Sequence, residues 1–120
     1  MNEFGNILRE RRRSAALSQR QFADKAGVDF SYISKLENGR LPPPAEATIV
    51  RFSELLGCPA EEFFAAAKKM PVGLNADLSG QPGALKFLQE ASKLRLSPDE
   101  WDELLGKLHG MRTEEGSQDG

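Results

Sequence analysis

A chain of 120 residues with a formal net charge of −2 has room for one ordinary domain and a small appendage, built around a modest core. It holds no run of about 18 apolar residues and no basic-then-apolar leader, which argues against a membrane span or a secretory signal and makes a cytoplasmic location the expectation. The single Cys58 rules out an intramolecular disulfide and, between Gly57 and Pro59, reads as a small apolar filler. Charge is uneven: residues 1–70 carry eleven Lys or Arg against nine Asp or Glu, and residues 71–120 carry five against nine. Attraction to a polyanion depends on the local patch, so the acidic total does not forbid binding by the front of the chain.

The first helix is predicted over Glu3 to Ala15. Phe4, Ile7, Leu8 and Ala15 share a face, and Arg9, Arg11, Arg12 and Arg13 lie around the rest. Ser18 followed by Gln21 fits a capping box, with Leu17 and Phe22 at the staple positions. The second helix should therefore span about 19 to 26, ended by Gly27, which adopts a left-handed conformation without a Cβ penalty. Asp29 is an N-cap candidate for a third helix from about Phe30 to Glu37, stopped by Asn38-Gly39. Two short helices joined by a glycine turn read as a helix-turn-helix.

Leu41-Pro42-Pro43-Pro44 cannot be helical and should be a stiff connector, with an SH3-ligand reading the weaker alternative. A fourth helix is expected over Ala45 to Leu56, with Ala45 in place of a Ser or Asp cap at a cost of ~1 kcal/mol. The fifth, Ala60 to Lys69, has Glu61 and Glu62 in its first turn, Lys68 and Lys69 in its last, and Phe63 and Phe64 for its buried face. Residues 70–83 read as a linker, with Leu74 and Leu78 as tethers.

Beyond it, Ala84 to Arg95 places Leu85, Leu88 and Ala91 on one helical face. Ser97-Pro98-Asp99-Glu100 then opens a last helix with Trp101, Leu104, Leu105 and Leu108 in a single stripe. This hairpin, residues 84–112, cannot bury both stripes by itself. Either the front domain covers them or two copies pair, and Leu85, Leu88, Trp101, Leu104, Leu105 and Leu108 are the expected dimerisation residues. His109 reads as a C-terminal cap, and residues 113–120 as a disordered tail.

Leu17-Ser18-Gln19, Ala23, Gly27-Val28, Ile33-Ser34 and Leu36-Glu37-Asn38-Gly39 together resemble the Cro and C1 repressor type of helix-turn-helix, the XRE family, over about residues 4 to 69. The resemblance implies an all-α architecture: a five-helix, lambda-repressor-like DNA-binding domain (1–69), followed here by a helical hairpin whose layout is loosely similar to SinR-type repressors. It implies that Arg12 pairs with Glu37 and ties the first helix to the end of the third. Arg11 departs from the pattern, standing where many members carry an apolar residue. A domain of this fold used only for protein contacts is the alternative that fold alone leaves open.

In this docking geometry the third helix enters the major groove and its N-terminal residues meet base edges. By register with the family, the expected base contacts are Phe30, Ser31, Tyr32, Ser34 and Lys35. Lys35 suits guanine, and Phe30 suits a thymine methyl unless it is a wedge against its own helix. The expected phosphate contacts are Gln19 and Arg20 at the start of the second helix and Asn38 and Arg40 past the third. The function implied is a sequence-specific transcriptional repressor acting as a homodimer on a pseudopalindromic double-stranded operator. The alternative is an antitoxin-like autoregulator whose hairpin binds a protein toxin or antagonist. Catalysis finds no support, since the chain lacks a nucleophile motif, a phosphate loop and metal-ligand spacing; no cofactor or metal is expected.

Overall fold

The computed structural model describes the backbone of residues 3–119 and the side chains of residues 3–112. The described residues form eight helices: α1 (Glu3–Ser14), α2 (Gln19–Ala26), α3 (Phe30–Glu37), α4 (Glu46–Leu56), α5 (Ala60–Ala67), α6 (Val72–Ser79), α7 (Pro82–Leu94) and α8 (Pro98–Asp119). The architecture is all-α, and the chain divides between Asn75 and Ala76 into two compact units. None of these helices is long and apolar enough to cross a membrane.

Local chemistry sets most of the bounds in the first unit. The Gln21 N–H donates to Ser18 Oγ at 3.0 Å and the Ser18 N–H donates to Gln21 Oε1 at 2.8 Å, so both halves of the capping box start α2. Gly27 ends it at φ 72°. Asp29 stands at the N-cap of α3 in extended conformation, but its carboxylate makes no cap bond; its backbone carbonyl accepts from Tyr32 and Ile33 instead. Ala45 leaves the start of α4 without a side-chain cap. The fifth helix stops at Ala67, short of the predicted Lys69, because Lys68 turns left-handed at φ 55°. Lys69 then reaches back, its Nζ donating to Pro44 O at 2.9 Å, which ties the end of the domain to the proline connector.

The core of this unit draws on each of α1 to α5. Phe4, Leu8, Phe22, Ile33, Leu36, Ile49, Phe52 and Phe63 are fully buried. Phe22 meets Phe52 edge-on with ring centroids 5.0 Å apart, and Phe4 meets Phe63 at 5.5 Å, geometries that add directional attraction to burial. Gly5 allows the closest approach. A Cβ there would lie 2.6 Å from Leu36 O and 2.7 Å from Glu37 O, so α1 can pack its backbone against the end of α3 only without a side chain. Cys58 packs half-buried against this core, and burial pushes its thiol pKa up, which fits an apolar filler rather than a reactive thiolate.

Four expectations for the rest of the chain need correction. The boundary between the two units falls within residues 70–83, the predicted linker, but α6 occupies Val72–Ser79 of it. Its start is supplied from elsewhere: Glu46 Oε2 accepts from the Val72 N–H at 3.0 Å, and Pro71 O accepts from Asn75, bonds that apolar periodicity does not report. The seventh helix begins at Pro82 rather than Ala84, with Pro82 at a first-turn position where its missing N–H costs nothing. The eighth runs on to Asp119, so the expected disordered tail is helical through that residue, and Gly120 lies outside the described residues. Arg112, Glu114, Glu115 and Gln118 favour this continuation by propensity, and Thr113, Gly116 and Ser117 oppose it. His109 therefore stands inside α8, not at its end.

In the second unit, the Glu100 N–H donates to Ser97 Oγ at 3.2 Å and the Ser97 N–H donates to Glu100 Oε1 at 2.9 Å, a second capping box that starts α8. Among the described side chains of residues 76–112, Ala91 alone is buried. Between α7 and α8 runs an open apolar groove whose lining includes Ala84, Phe87, Trp101, Leu104, Leu105 and Leu108. The face of α7 turned to this groove is thus Ala84-Phe87, and Ala91 and Leu94 line its continuation. Leu85 and Leu88 are not among the groove-lining residues and stay 45% and 37% exposed.

Candidate nucleic-acid interface

One face of α3 is spent on the core and the other is open. Ile33, Leu36 and Glu37 are buried, while Phe30, Ser31 and Lys35 are exposed and Ser34 is half-exposed. The open positions recur at i, i+1, i+4 and i+5, one side of a helix. Tyr32 differs from its neighbours: its ring is half-buried against the core, and burial pushes its phenol pKa up.

What fixes α3 is a buried ionic cluster around Glu37. Arg12 Nε donates to Glu37 Oε2 at 2.6 Å, and a second Arg12 nitrogen donates to Glu37 Oε1 at 3.0 Å. The fork also donates to Leu17 O at 2.8 Å, which binds the turn before α2 into the same cluster. Gln19 Nε2 donates to Glu37 Oε1 at 3.0 Å, and Arg9 Nε adds a longer contact at 3.4 Å. Burial on its own would raise the Glu37 pKa. Hydrogen bonds from Arg12 and Gln19, the Arg12 charge and the Arg9 hydrogen bond outweigh it and hold the carboxyl below its usual range. Among the described residues no buried side-chain nitrogen or oxygen lacks a partner, so this polar cluster is fully satisfied.

The cluster also sorts the arginines of α1. Arg9 donates to Glu37 O at 3.3 Å and to Asn38 Oδ1 at 3.1 Å, capping the end of α3 from outside. Arg11 makes a two-pronged pair with Glu62 of α5, its Nε donating to Oε1 at 3.0 Å. This pair occupies the position where the family pattern places an apolar contact. The partners of Arg9 and Arg11 lie 28 and 51 residues away, so neighbours in the chain do not announce them. The i, i+3 spacing of Arg9 and Arg12 was the available signal that both could reach one acidic group.

The proposed phosphate-side residues fall into two kinds. The side chains of Gln19 and Asn38 are engaged within the protein, Gln19 with Glu37, and Asn38 with Arg9 and, through its Nδ2 donor, with Ser34 Oγ at 3.4 Å. The start of α2 leaves the Gln19 and Arg20 N–H groups outside the helix's own bonds, where an anion can be seated. Arg40 is exposed just past α3. Arg20 lies over the ring of Phe30, its guanidinium carbon 4.4 Å from the ring centroid. Phe30 is 38% exposed, with Arg20 across one face of its ring. Among the described residues, no group of three or more His, Cys, Asp or Glu is placed to hold a metal ion.

The geometry agrees with what comparison with known proteins finds. A family model described as a helix-turn-helix domain matches residues 3–64. Over 67 residues the chain is 42% identical to the uncharacterized HTH-type transcriptional regulator RghRB of Bacillus subtilis (strain 168), covering 56% of this chain and 48% of that protein. Over 61 residues it is 39% identical to the HTH-type transcriptional repressor RghR of the same organism, covering 51% and 45%. The matched region spans about half the length of these relatives. The chain belongs to the helix-turn-helix domain family and carries an XRE-like form of the motif.

Proposed function

We propose that this protein is a sequence-specific transcriptional repressor that binds double-stranded operator DNA as a homodimer. The observation that carries the reading is the open face of α3. Phe30, Ser31, Ser34 and Lys35 point away from the core on a helix whose far end is clamped by Arg9, Arg12 and Gln19. A reader needs that rigidity, since base-edge hydrogen bonds tolerate little misplacement. Lys35 and Arg40 form no ion pair among the described residues, so their charge is available to DNA, whereas Arg11 and Arg12 are neutralised internally. The named repressor among the relatives supports repression as the direction of control.

Lys35 reads a base and Arg40 holds a phosphate. In salt-dependent binding titrations of the full chain, Lys35→Ala relaxes the preference at one operator position. Arg40→Ala weakens binding to every sequence and lowers the salt slope by about one charge. An unchanged consensus for Lys35→Ala sinks the assignment of that residue.

Dimerisation rests on the second unit. Trp101, Leu105 and Leu108 are 42%, 49% and 56% exposed, a large apolar face for a hairpin of this size, and a second copy of the same hairpin is a self-complementary cover for it. Sedimentation of the full chain tests this directly. A dimer supports the reading, and a monomer at micromolar concentration assigns the groove to a different protein, such as an antagonist.

A further inference from the structure

Arg20 and Phe30 touch across the turn of the motif, and the contact gives Arg20 a task other than holding phosphate. Resting on the DNA-binding reading above, we infer that Arg20 is a specificity residue: Phe30 holds its guanidinium flat, and the pair reads a guanine beside the base under the Phe30 ring.

The steps are physical. Phe30 is the first residue of α3 and Arg20 the second of α2, so the contact ties the starts of the two helices together. At 4.4 Å from centroid to guanidinium carbon, the cation lies over the π face, where it is attracted to the ring. A guanidinium that lies parallel to the ring in such a contact leaves its N–H edge for acceptors. No hydrogen bond or ion pair within the described residues takes that edge. Arg9, Arg11 and Arg12, by contrast, have theirs on Glu37, Asn38, Leu17 and Glu62. A flat fork of donors that has lost rotamer freedom before binding matches guanine O6 and N7, which accept two parallel N–H bonds in the major groove. The place matters as well. The N-terminal residues of the recognition helix stand over base edges, and a guanidinium packed on the first of them is carried to that level. Phe30 has no polar side-chain atom, so it contributes an apolar contact to a thymine methyl and a platform for Arg20. The expected signature is therefore a guanine preference next to a thymine.

The alternative for Arg20 is a phosphate contact, and three variants separate the two. Arg20→Lys keeps the charge and loses the planar fork; Phe30→Leu keeps an apolar contact for thymine and loses the π platform; Arg20→Ala removes both charge and fork. Binding of full-length protein is measured against the selected operator and against operators substituted at each position. Thermal unfolding of each variant is followed in parallel to confirm a folded domain. The expected result is a guanine preference at one position that falls roughly 10-fold in both Arg20→Lys and Phe30→Leu. It is overturned if Arg20→Lys keeps the preference while Arg20→Ala weakens all sequences alike, which identifies a phosphate contact. It is overturned as well if Phe30→Leu leaves the preference at that position intact. A wild-type protein that selects no DNA sequence overturns both this inference and the function it rests on, whereas wild-type selection with unaltered variants overturns the inference alone.

Discussion

Phe22 and Trp101 are both large aromatic residues on amphipathic helices, yet Phe22 is fully buried and Trp101 remains 42% exposed. The contrast extends to charge. In the first unit Glu37 and Glu62 take arginines from another helix, whereas in the second the ion pairs Lys93–Glu90 and Lys107–Glu103 lie along one helix and are largely exposed. Exposed pairs of that kind contribute little. The first unit has thus buried its main apolar stripes and its Glu37 carboxylate within itself and leaves one face of α3 open. The second leaves its main apolar stripe outside. The first unit holds a helix in a fixed pose, and the second presents the uncovered apolar face that the proposed dimer requires.

The sharpest way to break the comparison is to remove a group that only the first unit uses. Arg12→Ala leaves the buried Glu37 carboxylate without its principal partner and should cost about 3–5 kcal/mol, seen as a large fall in urea midpoint. The same cluster sets an acid limit. Because Glu37 in the folded protein titrates below its ordinary value of 4.5, its contribution is fully present above that value and is lost as pH falls through the lowered one. Unfolding measured from neutral pH down to pH ~3 should show this loss, and Glu37→Gln, though less stable at neutral pH, should flatten that part of the profile.

A charge in the second unit should have the opposite outcome. Leu105→Glu on the groove should abolish self-association in sedimentation while moving the stability of the first unit by less than about 0.5 kcal/mol, as surface changes do. A large loss of first-unit stability would show that the two units do not divide the work as described. The smallest expected effect is a gain. Ala45 already has the extended backbone of an N-cap at φ −64° and ψ 162°, so Ala45→Ser should stabilise the first unit by about 1 kcal/mol in thermal or urea unfolding.

How far the sequence disclosed this arrangement varied with the range of the interaction. The ends of α2 and α3 were legible to the residue because their signals are local: Ser18 with Gln21, Gly27, then Asn38-Gly39. The stripe on α8 was legible for the same reason, and its start at Ser97-Pro98 follows from neighbours in the chain. The sixth helix was not, since Gly73 and Asn75 oppose a helix by propensity and the bond that fixes its start comes from Glu46, 26 residues earlier. Gly5 resembles a poor helix residue until the backbone of Leu36 and Glu37 is seen beside it. The candidate interface divides in the same manner. Which residues of α3 face outward follows from helical period. That Arg20 covers Phe30, that Arg9 holds Asn38 and that Phe87 rather than Leu85 lines the groove depend on how helices cross.

The division of labour between the two units is tested most directly by selecting bound sequences from random double-stranded DNA with the purified full-length protein. A pair of readers joined through α7 and α8 yields an inverted repeat, its half-sites centred about one helical turn apart or a multiple of that. Recovery of a lone half-site with no fixed partner spacing, or of no enriched sequence, contradicts it.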